Sequence, residues 1–160
     1  MIRLPESIDY EEVPIEKRYR AATRALSARI GALYRRAVDE FGDEALELIR
    51  SVNRRHARDL ARDLCEGGGP RDAGAAALCL ARLLDLVGMD GEVLELSPAC
   101  ARISVESCPF GISSPELCEA RTTLESEFVR SLADDLHVEI EKCAALGDES
   151  CQFRIDRVSR

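Results

Sequence analysis

The hydrophobic pattern of this chain changes its repeat near Gly88, from a mainly helical to a mainly strand pattern, and this change limits the folds available to it. Before Gly88, apolar residues recur every three or four positions, as they do along one face of an α-helix. After Gly88, apolar and polar residues alternate, which is typical of β-strands with two different faces. The 160 residues therefore predict one α+β domain at 15–160, with a helical part at 15–88 and a sheet part at 91–158.

Three helices are expected in the helical part, after an extended arm at residues 1–14. The first helix spans residues 14–41, and one of its faces carries Tyr19, Ala22, Leu26, Ile30, Leu33, Ala37 and Phe41. Gly42 is a helix stop signal, and the second helix begins at Asp43. Its apolar positions are Ala45, Ile49, Val52, Leu60 and Leu64. The third helix, at about 72–87, is apolar nearly all round, as central buried helices are.

Four short strands and one further helix are expected in the sheet part. Alternation places the strands at about 92–97, 100–107, 136–143 and 150–157. The helix between the two hairpins begins at Ser113, which with Glu116 matches a capping box. These elements predict a four-stranded antiparallel sheet packed against the N-terminal helices on one face, with a crossover helix between its two hairpins.

Charge and hydropathy exclude several classes of partner. The net charge of −8 argues against a DNA or RNA surface, because phosphates need local positive charge. No stretch approaches the roughly 20 apolar residues of a membrane span, and the N-terminus lacks the apolar core of a signal peptide. We therefore expect a cytoplasmic protein. Its seven cysteines then indicate metal binding or redox chemistry rather than disulfides, because the cytosol is reducing.

Four cysteines lie at the ends of predicted elements, and we refer to them as the cysteine cluster: Cys108, Cys118, Cys143 and Cys151. If the two hairpins share one sheet, these thiols can reach the same end of it, and four thiolates suit zinc or an iron–sulfur cluster. Cys118 lies in the first turn of its helix, where the helix dipole favours a thiolate.

The spacing of the cysteine cluster is not that of a zinc ribbon, which has tight Cys-x2-Cys pairs. Cys143 is also out of phase with the apolar face of its strand, so its convergence with Cys151 needs a bulge or twist near Glu141 and Lys142. Cys65, Cys79 and Cys100 have no evident partners and are expected to be small hydrophobic residues.

The two histidines are candidates of another kind. His56 lies on the apolar face of the second helix, so it is either a polar group in a ligand pocket or a core or edge histidine. His137 alternates with Glu139 and Glu141 on a strand, where a solvated face and a general base are both open. No serine protease triad, nucleotide-binding glycine motif or zinc-protease motif is present.

The closing segment LHVEIEKCAALGDESCQFRI, residues 136–155, resembles the final hairpin of the 4-vinyl reductase domain superfamily. Its hallmark is a Cys, a Gly-Asp turn, and a second Cys followed by an aromatic residue, here Cys143, Gly147, Asp148, Cys151 and Phe153. The segments SCPFG, ELC and LYRRAVDEFGDEALELI resemble a relative, the L-2-amino-thiazoline-4-carboxylic acid hydrolase-like family. The resemblance covers about residues 30–157.

This resemblance implies a small-molecule-binding module in which cysteines of the closing hairpin and an upstream cysteine hold zinc. Cys143 and Cys151 match the hairpin ligands, and Cys118 or Cys108 would be the upstream ligand. Some relatives use a Glu three residues before the first hairpin Cys. That position is Ile140 here, so a fourth cysteine is favoured over a glutamate.

Three functions follow as hypotheses. The first is a binding domain for a hydrophobic, aromatic or heterocyclic small molecule, with cysteine-bound zinc, that acts as a sensor, carrier or accessory protein through a protein partner or a homodimer. The second is a metal-dependent hydrolase that opens a small heterocycle such as a thiazoline, which needs an open metal coordination position. The third is an iron–sulfur redox protein. The sequence identifies no catalytic residue.

Overall fold

The computed structural model describes residues 14–64 and 72–158 of the chain. Its elements, in chain order, are α1 (Ile15–Phe41), α2 (Asp43–Leu64), α3 (Ala73–Leu86), β1 (Gly91–Leu96), β2 (Cys100–Val105), α4 (Pro115–Leu132), β3 (Leu136–Lys142), a 3-10 turn (Ala144–Leu146) and β4 (Cys151–Arg157). The predicted α+β fold is confirmed. The arm expected at residues 1–14 falls, except for its last residue, outside the described residues, and so does Cys65.

The four strands form one antiparallel sheet in the order β1-β2-β4-β3. Alternation gives the sheet one apolar face. Its side chains, which are buried, are those of Ala101, Ile103, Val105, Val138, Phe153 and Ile155. α3 lies on β1, β2 and β4, and α4 lies on β3, so the two helices cover that face together. α2 packs on α4, and α1 contacts both α2 and α4. The helices therefore lie on one side of the sheet, as predicted.

α3 is the central helix, as its all-round apolar sequence predicts. Leu80, Leu83 and Leu84 are buried within it. Burial of each such side chain stabilises the fold by roughly 1.5–3 kcal/mol. The helix begins after Asp72, whose carboxylate accepts a hydrogen bond from the backbone N–H of Ala75 at 2.8 Å.

The start of α4 differs from the prediction by one residue. The N-cap is Ser114, whose hydroxyl accepts a hydrogen bond from the backbone N–H of Leu117 at 3.3 Å. Ser113, the expected cap, is exposed and precedes it. Pro115 at the first helical position favours this arrangement, because its fixed φ suits the helix and its missing N–H leaves no donor unpaired.

α1 is a helix as predicted, but its apolar face lies mainly in solvent. Leu26, Leu33 and Phe41 are 59%, 62% and 61% exposed, whereas the buried residues of α1 are Ser27 and Gly31. The reason is a close backbone approach. A Cβ added at Gly31 would lie 1.8 Å from the carbonyl oxygen of Phe110, so only glycine fits at this point of contact. Ile30, Tyr34 and Val38 on either side are partly buried against the core.

α2 buries only part of its predicted apolar face. The predicted apolar positions Ala45 and Ile49 are buried, whereas Val52 is exposed.

Within the described part of the chain, no helix combines the length and the hydropathy that a membrane span requires.

The contact at Gly31 gives a stability prediction. Gly31→Ala should destabilise the protein by about 1–3 kcal/mol, because the new methyl group has to displace backbone rather than a side chain. Urea unfolding followed by circular dichroism measures this. Ser51→Ala, at an exposed position of α2, is the control and should change stability by less than about 0.5 kcal/mol. An unchanged stability of Gly31→Ala would contradict the close packing of α1 on the Phe110 backbone.

Candidate functional site

The cysteine cluster lies at one end of the sheet, where α4 begins and where β3 turns into β4. The thiols of Cys118 and Cys143 form a hydrogen-bonded pair with their sulfurs 3.4 Å apart. The sulfur of Cys151 accepts a hydrogen bond from the backbone N–H of Ala144 at 3.4 Å. Cys143 is buried, and Cys108, Cys118 and Cys151 are half-buried. The start of α4 and the β3–β4 connection therefore bring the sulfurs of Cys118 and Cys143 together, whereas the four-cysteine site stays a prediction.

The bulge that this convergence needs is present. Ile140 pairs with Phe153 and Lys142 pairs with Gln152, so Glu141 is an extra residue in β3. The bulge changes the phase of the strand and turns Cys143 inward. Asp148 then fixes the connection, since its carboxylate accepts a hydrogen bond from the backbone N–H of Cys143 at 2.8 Å.

The thiols fit zinc in chemistry, but their side chains do not form a metal site as they stand. Sulfurs around a tetrahedral zinc with Zn–S bonds of about 2.3 Å lie about 3.8 Å apart, close to the 3.4 Å between Cys118 and Cys143. Within residues 14–64 and 72–158, however, no group of three or more His, Cys, Asp or Glu side chains could hold a metal ion. The zinc site and its iron–sulfur alternative therefore stay predictions.

The electrostatics of Cys118 differ from the expectation. The pKa of Cys118 is raised to about 12. Burial is the largest cause, followed by the hydrogen bond with Cys143 and by the charges of the neighbouring thiols. Burial also raises the pKa of Cys151 against the lowering effect of the Ala144 N–H. The helix dipole does not make Cys118 a thiolate, because desolvation and adjacent sulfurs outweigh it. At neutral pH, Cys118 is therefore a protonated thiol.

The remaining cysteines lie elsewhere. Cys79 is half-buried against the core, consistent with a small hydrophobic residue. Cys100 opens β2 as predicted but does have a partner. A hydrogen bond between its thiol and the Arg154 guanidinium raises the pKa of Arg154.

A second feature, the interhelical cavity, lies among α1, α2, α3, α4 and the loop between β2 and α4. Its volume is about 260 Å³. Most of its wall is apolar, with side chains that include Leu26, Ile30, Leu60, Leu83, Phe110 and Leu124. The volume of the cavity lies just below the roughly 300–1,000 Å³ of pockets for drug-sized ligands, so the cavity has room for a smaller organic molecule.

The polar side of the cavity is built around α4. Arg121 lies over the ring of Phe110, with the guanidinium carbon 4.5 Å from the ring centroid. It also forms a buried ion pair with Glu125, one turn further along the helix. Glu125 is fully buried, and neither of its carboxylate oxygens has a hydrogen-bond partner among the described residues. Arg121 therefore contributes a buried guanidinium to the cavity wall, and its ion-pair partner Glu125 lies outside the lining.

Three more polar side chains complete this side. The pKa of Tyr34 is raised, because burial of its hydroxyl outweighs the lowering effect of the positive charge on Arg121. Asn53 is buried and donates hydrogen bonds to the carbonyl oxygens of Ala120 and Arg121, at 3.2 and 3.1 Å. His56 is exposed at the cavity rim, so it is not a core histidine. Its assignment as a ligand contact remains a prediction.

Sequence reasoning missed most of these polar residues. Two signals were present in the chain. Asn53 interrupts the buried side of α2, and Arg121 and Glu125 are spaced by four residues within the buried part of α4. A polar residue at a buried helical position requires a partner, and such pairs mark sites more often than isolated surface charges do.

Comparisons with known proteins identify the fold. No protein-family model and no curated protein matches the chain. The structure is similar to the phenol-responsive sensory domain of the transcription activator PoxR with phenol, with a TM-score of 0.59 and 16% identity over 82% of this chain and 74% of that chain. It is also similar to a trafficking protein particle complex subunit 3 from Naegleria fowleri covalently bound to palmitic acid, with a TM-score of 0.59 and 13% identity over 87% of this chain and 96% of that chain. These identities establish a shared α+β fold and no closer relationship.

The raised pKa of Cys118 gives a prediction about its reactivity. In metal-free protein at pH 8, Cys118 should react with iodoacetamide more than about tenfold more slowly than an unfolded cysteine peptide, because less of it is thiolate. Its rate should keep rising above about pH 10, where the peptide has levelled off because its own thiol, with a pKa of about 8.5, is already ionised. Peptide mapping by mass spectrometry measures both rates. A Cys118 that reacts like the peptide at pH 8 would contradict a buried, protonated thiol at this position.

Proposed function

We propose that this chain is a small-molecule-binding domain whose ligand occupies the interhelical cavity and whose cysteine cluster holds zinc. The observation that carries this proposal is the cavity itself. It combines an apolar wall with the polar side chains of Tyr34 and Arg121 on one side. That combination lets the wall hold the body of a ligand while a few polar groups fix its orientation.

The structural neighbours support the proposal by analogy. One of them is a sensory domain that responds to phenol, and the other is covalently bound to palmitic acid. Phenol is a small aromatic molecule and palmitic acid is a long apolar chain, so both ligands are largely apolar. The resemblance of the closing hairpin to the 4-vinyl reductase domain superfamily points in the same direction. By this analogy the chain would act as a sensor, carrier or accessory protein.

The proposed zinc ligands are the four cysteines of the cluster. Thiolates are the ligands that structural zinc prefers, and a bound cation would lower the pKa values that burial raises here. Binding would require Cys108 and Cys151 to turn toward the Cys118–Cys143 pair. A carboxylate ligand from β3 is disfavoured, because Glu141 accepts a hydrogen bond from Arg102 at 2.9 Å on the opposite face of the sheet.

Two chain segments would couple the metal to the ligand. The loop before α4 carries Cys108 into the cluster and Phe110 into the cavity wall. α4 carries Cys118 into the cluster and, one turn later, Arg121 into the cavity. Zinc would therefore hold one wall of the cavity in place, and metal binding would stabilise the ligand-binding form.

The number of metal ligands separates this proposal from its two alternatives. Four cysteines would close the coordination shell of zinc, so the metal would be structural. A ring-opening hydrolase needs three cysteines and an open position for water. An iron–sulfur cluster would give visible absorption in protein purified without oxygen.

The zinc proposal predicts the effect of one substitution. Cys151→Ser should lower the zinc bound per chain and the melting temperature, because the cluster loses a ligand. Cys79→Ser, outside the cluster, is the control and should leave the zinc content unchanged. Elemental analysis and thermal unfolding of anaerobically prepared protein measure both. Equal zinc content in the wild type and in Cys151→Ser would contradict the metal site. Brown protein that contains iron would show that the cysteines hold an iron–sulfur cluster instead of zinc.

The ligand proposal predicts that filling the cavity abolishes binding. Leu60→Trp should weaken binding by more than about tenfold, because the larger ring takes the space of the ligand. Leu146→Trp, at a position 70% exposed outside the cavity, should bind as the wild type does. Calorimetry with monocyclic phenols and with medium-chain fatty acids is the measurement. If none of these probes binds the wild type, or both variants bind equally well, the cavity is not the site.

A further inference from the structure

We propose that the exposed apolar face of α1 is a self-association surface, on which α1 of a second copy of this chain packs antiparallel. This surface is separate from the cysteine cluster, and its assignment requires neither zinc nor a ligand in the interhelical cavity. Three features of α1 support it: the exposure of the face, its order of side chains and the distribution of charge along the helix.

The surface, which we call the α1 stripe, consists of Tyr19, Ala22, Leu26, Leu33, Ala37 and Phe41. Leu26 and Leu33 are 59% and 62% exposed at its centre. Large apolar side chains aligned on one helix face over several turns are uncommon on a monomer surface and mark interaction sites. α1 is 27 residues, or about 40 Å, long. The inward side of the same helix is formed by the buried Ser27 and Gly31 and by the partly buried Ile30, Tyr34 and Val38. Leu26, Leu33 and Phe41 of the stripe, by contrast, stay mostly exposed.

The order of side chains in the stripe reads almost the same in both directions. From the N-terminus it is aromatic, alanine, leucine, and then leucine, alanine, aromatic. If two copies run antiparallel with Leu26 of one opposite Leu33 of the other, then Ala22 faces Ala37 and Tyr19 lies beside Phe41. A two-fold axis requires such self-complementarity, since each copy contributes the same patch.

The charges on α1 favour the antiparallel arrangement. Within α1, residues 15–24 contain four basic residues and one acidic residue, and residues 39–41 contain two acidic residues. Asp43 and Glu44, which begin α2, add two more acidic residues next to this end of α1. Antiparallel packing places the basic end of each copy against the acidic end of the other, and parallel packing would oppose like charges.

Arg20 and Arg24 also pair with Asp90 of their own chain, so Lys17 and Arg18 are the two basic residues of this end outside these ion pairs with Asp90. Arg18 precedes Tyr19 and Glu40 precedes Phe41, so both lie on the same side of the stripe. Glu40 pairs with Arg36 of its own helix at 3.2 Å, and Arg18 of the second copy would join this pair across the axis.

The oligomeric state of the full chain tests this proposal. Sedimentation velocity over about a hundredfold range of concentration should show a monomer–dimer equilibrium in the wild type. Leu33→Asp should weaken dimerisation by more than about tenfold, because it places a charge within the apolar contact. Leu146→Asp, at an exposed leucine outside the stripe, is the control and should dimerise normally. Circular dichroism verifies that the variants are folded.

A charge swap tests the direction of packing. Arg18→Glu should weaken the dimer, and Arg18→Glu combined with Glu40→Arg should restore it, because the pair is reversed rather than removed. Restoration confirms the antiparallel arrangement. A wild type that stays monomeric at every concentration overturns the proposal, and so does a dimer that Leu33→Asp leaves intact. A dimer that the double variant fails to restore overturns the register in which Leu26 lies opposite Leu33.

Discussion

The burial of α4 between α2 and the sheet is the packing arrangement on which both candidate sites depend. Leu117, Ala120 and Phe128 are buried on this helix, and they hold it in one position. Successive turns then carry Cys118 to the cysteine cluster and Leu124 to the interhelical cavity. These two residues lie only about 9 Å apart along the helix axis. Any shift of α4 along its axis therefore moves both sites at once.

The ion pair of Arg121 and Glu125 is the costliest part of this arrangement. Removing one partner from a buried pair destabilises a protein by about 3–5 kcal/mol, but replacing both with apolar residues is often neutral or stabilising. Stability therefore does not explain why a core helix carries this pair. Under the proposed function, the place of Arg121 in the cavity wall explains it, because its guanidinium gives the mostly apolar cavity a hydrogen-bond donor while Glu125 pairs with that guanidinium. The ring of Phe110 adds a further contact to the guanidinium.

Most of the fold could be predicted from the sequence, because its elements are set by local periodicity and by strong stop signals such as Gly42 and Gly88. The meeting of Cys118 and Cys143 at one end of the sheet agrees with their positions at the ends of predicted elements. The bulge at Glu141 agrees with the phase of β3, which requires one if Cys143 is to turn toward Cys151. The cavity could not be predicted in the same way. It arises where four helices meet, and the packing of α1 there depends on a backbone approach between Gly31 and Phe110 that no local pattern encodes. The raised pKa of Cys118 could not be predicted from the sequence either. Its causes are burial and neighbouring thiols, and both depend on tertiary packing, whereas the opposing helix dipole follows from local structure alone.

The α1 stripe and the interhelical cavity share one residue, and this connects the two proposals. Leu26 is a member of the stripe and also lines the cavity. A ligand that displaces Leu26 would change the surface offered to a second copy. Thermodynamic linkage then requires that self-association change the affinity for the ligand by the same factor. If the cavity binds a ligand as proposed, a coupling of this kind at α1 would convert occupancy of the cavity into a change in the monomer–dimer equilibrium.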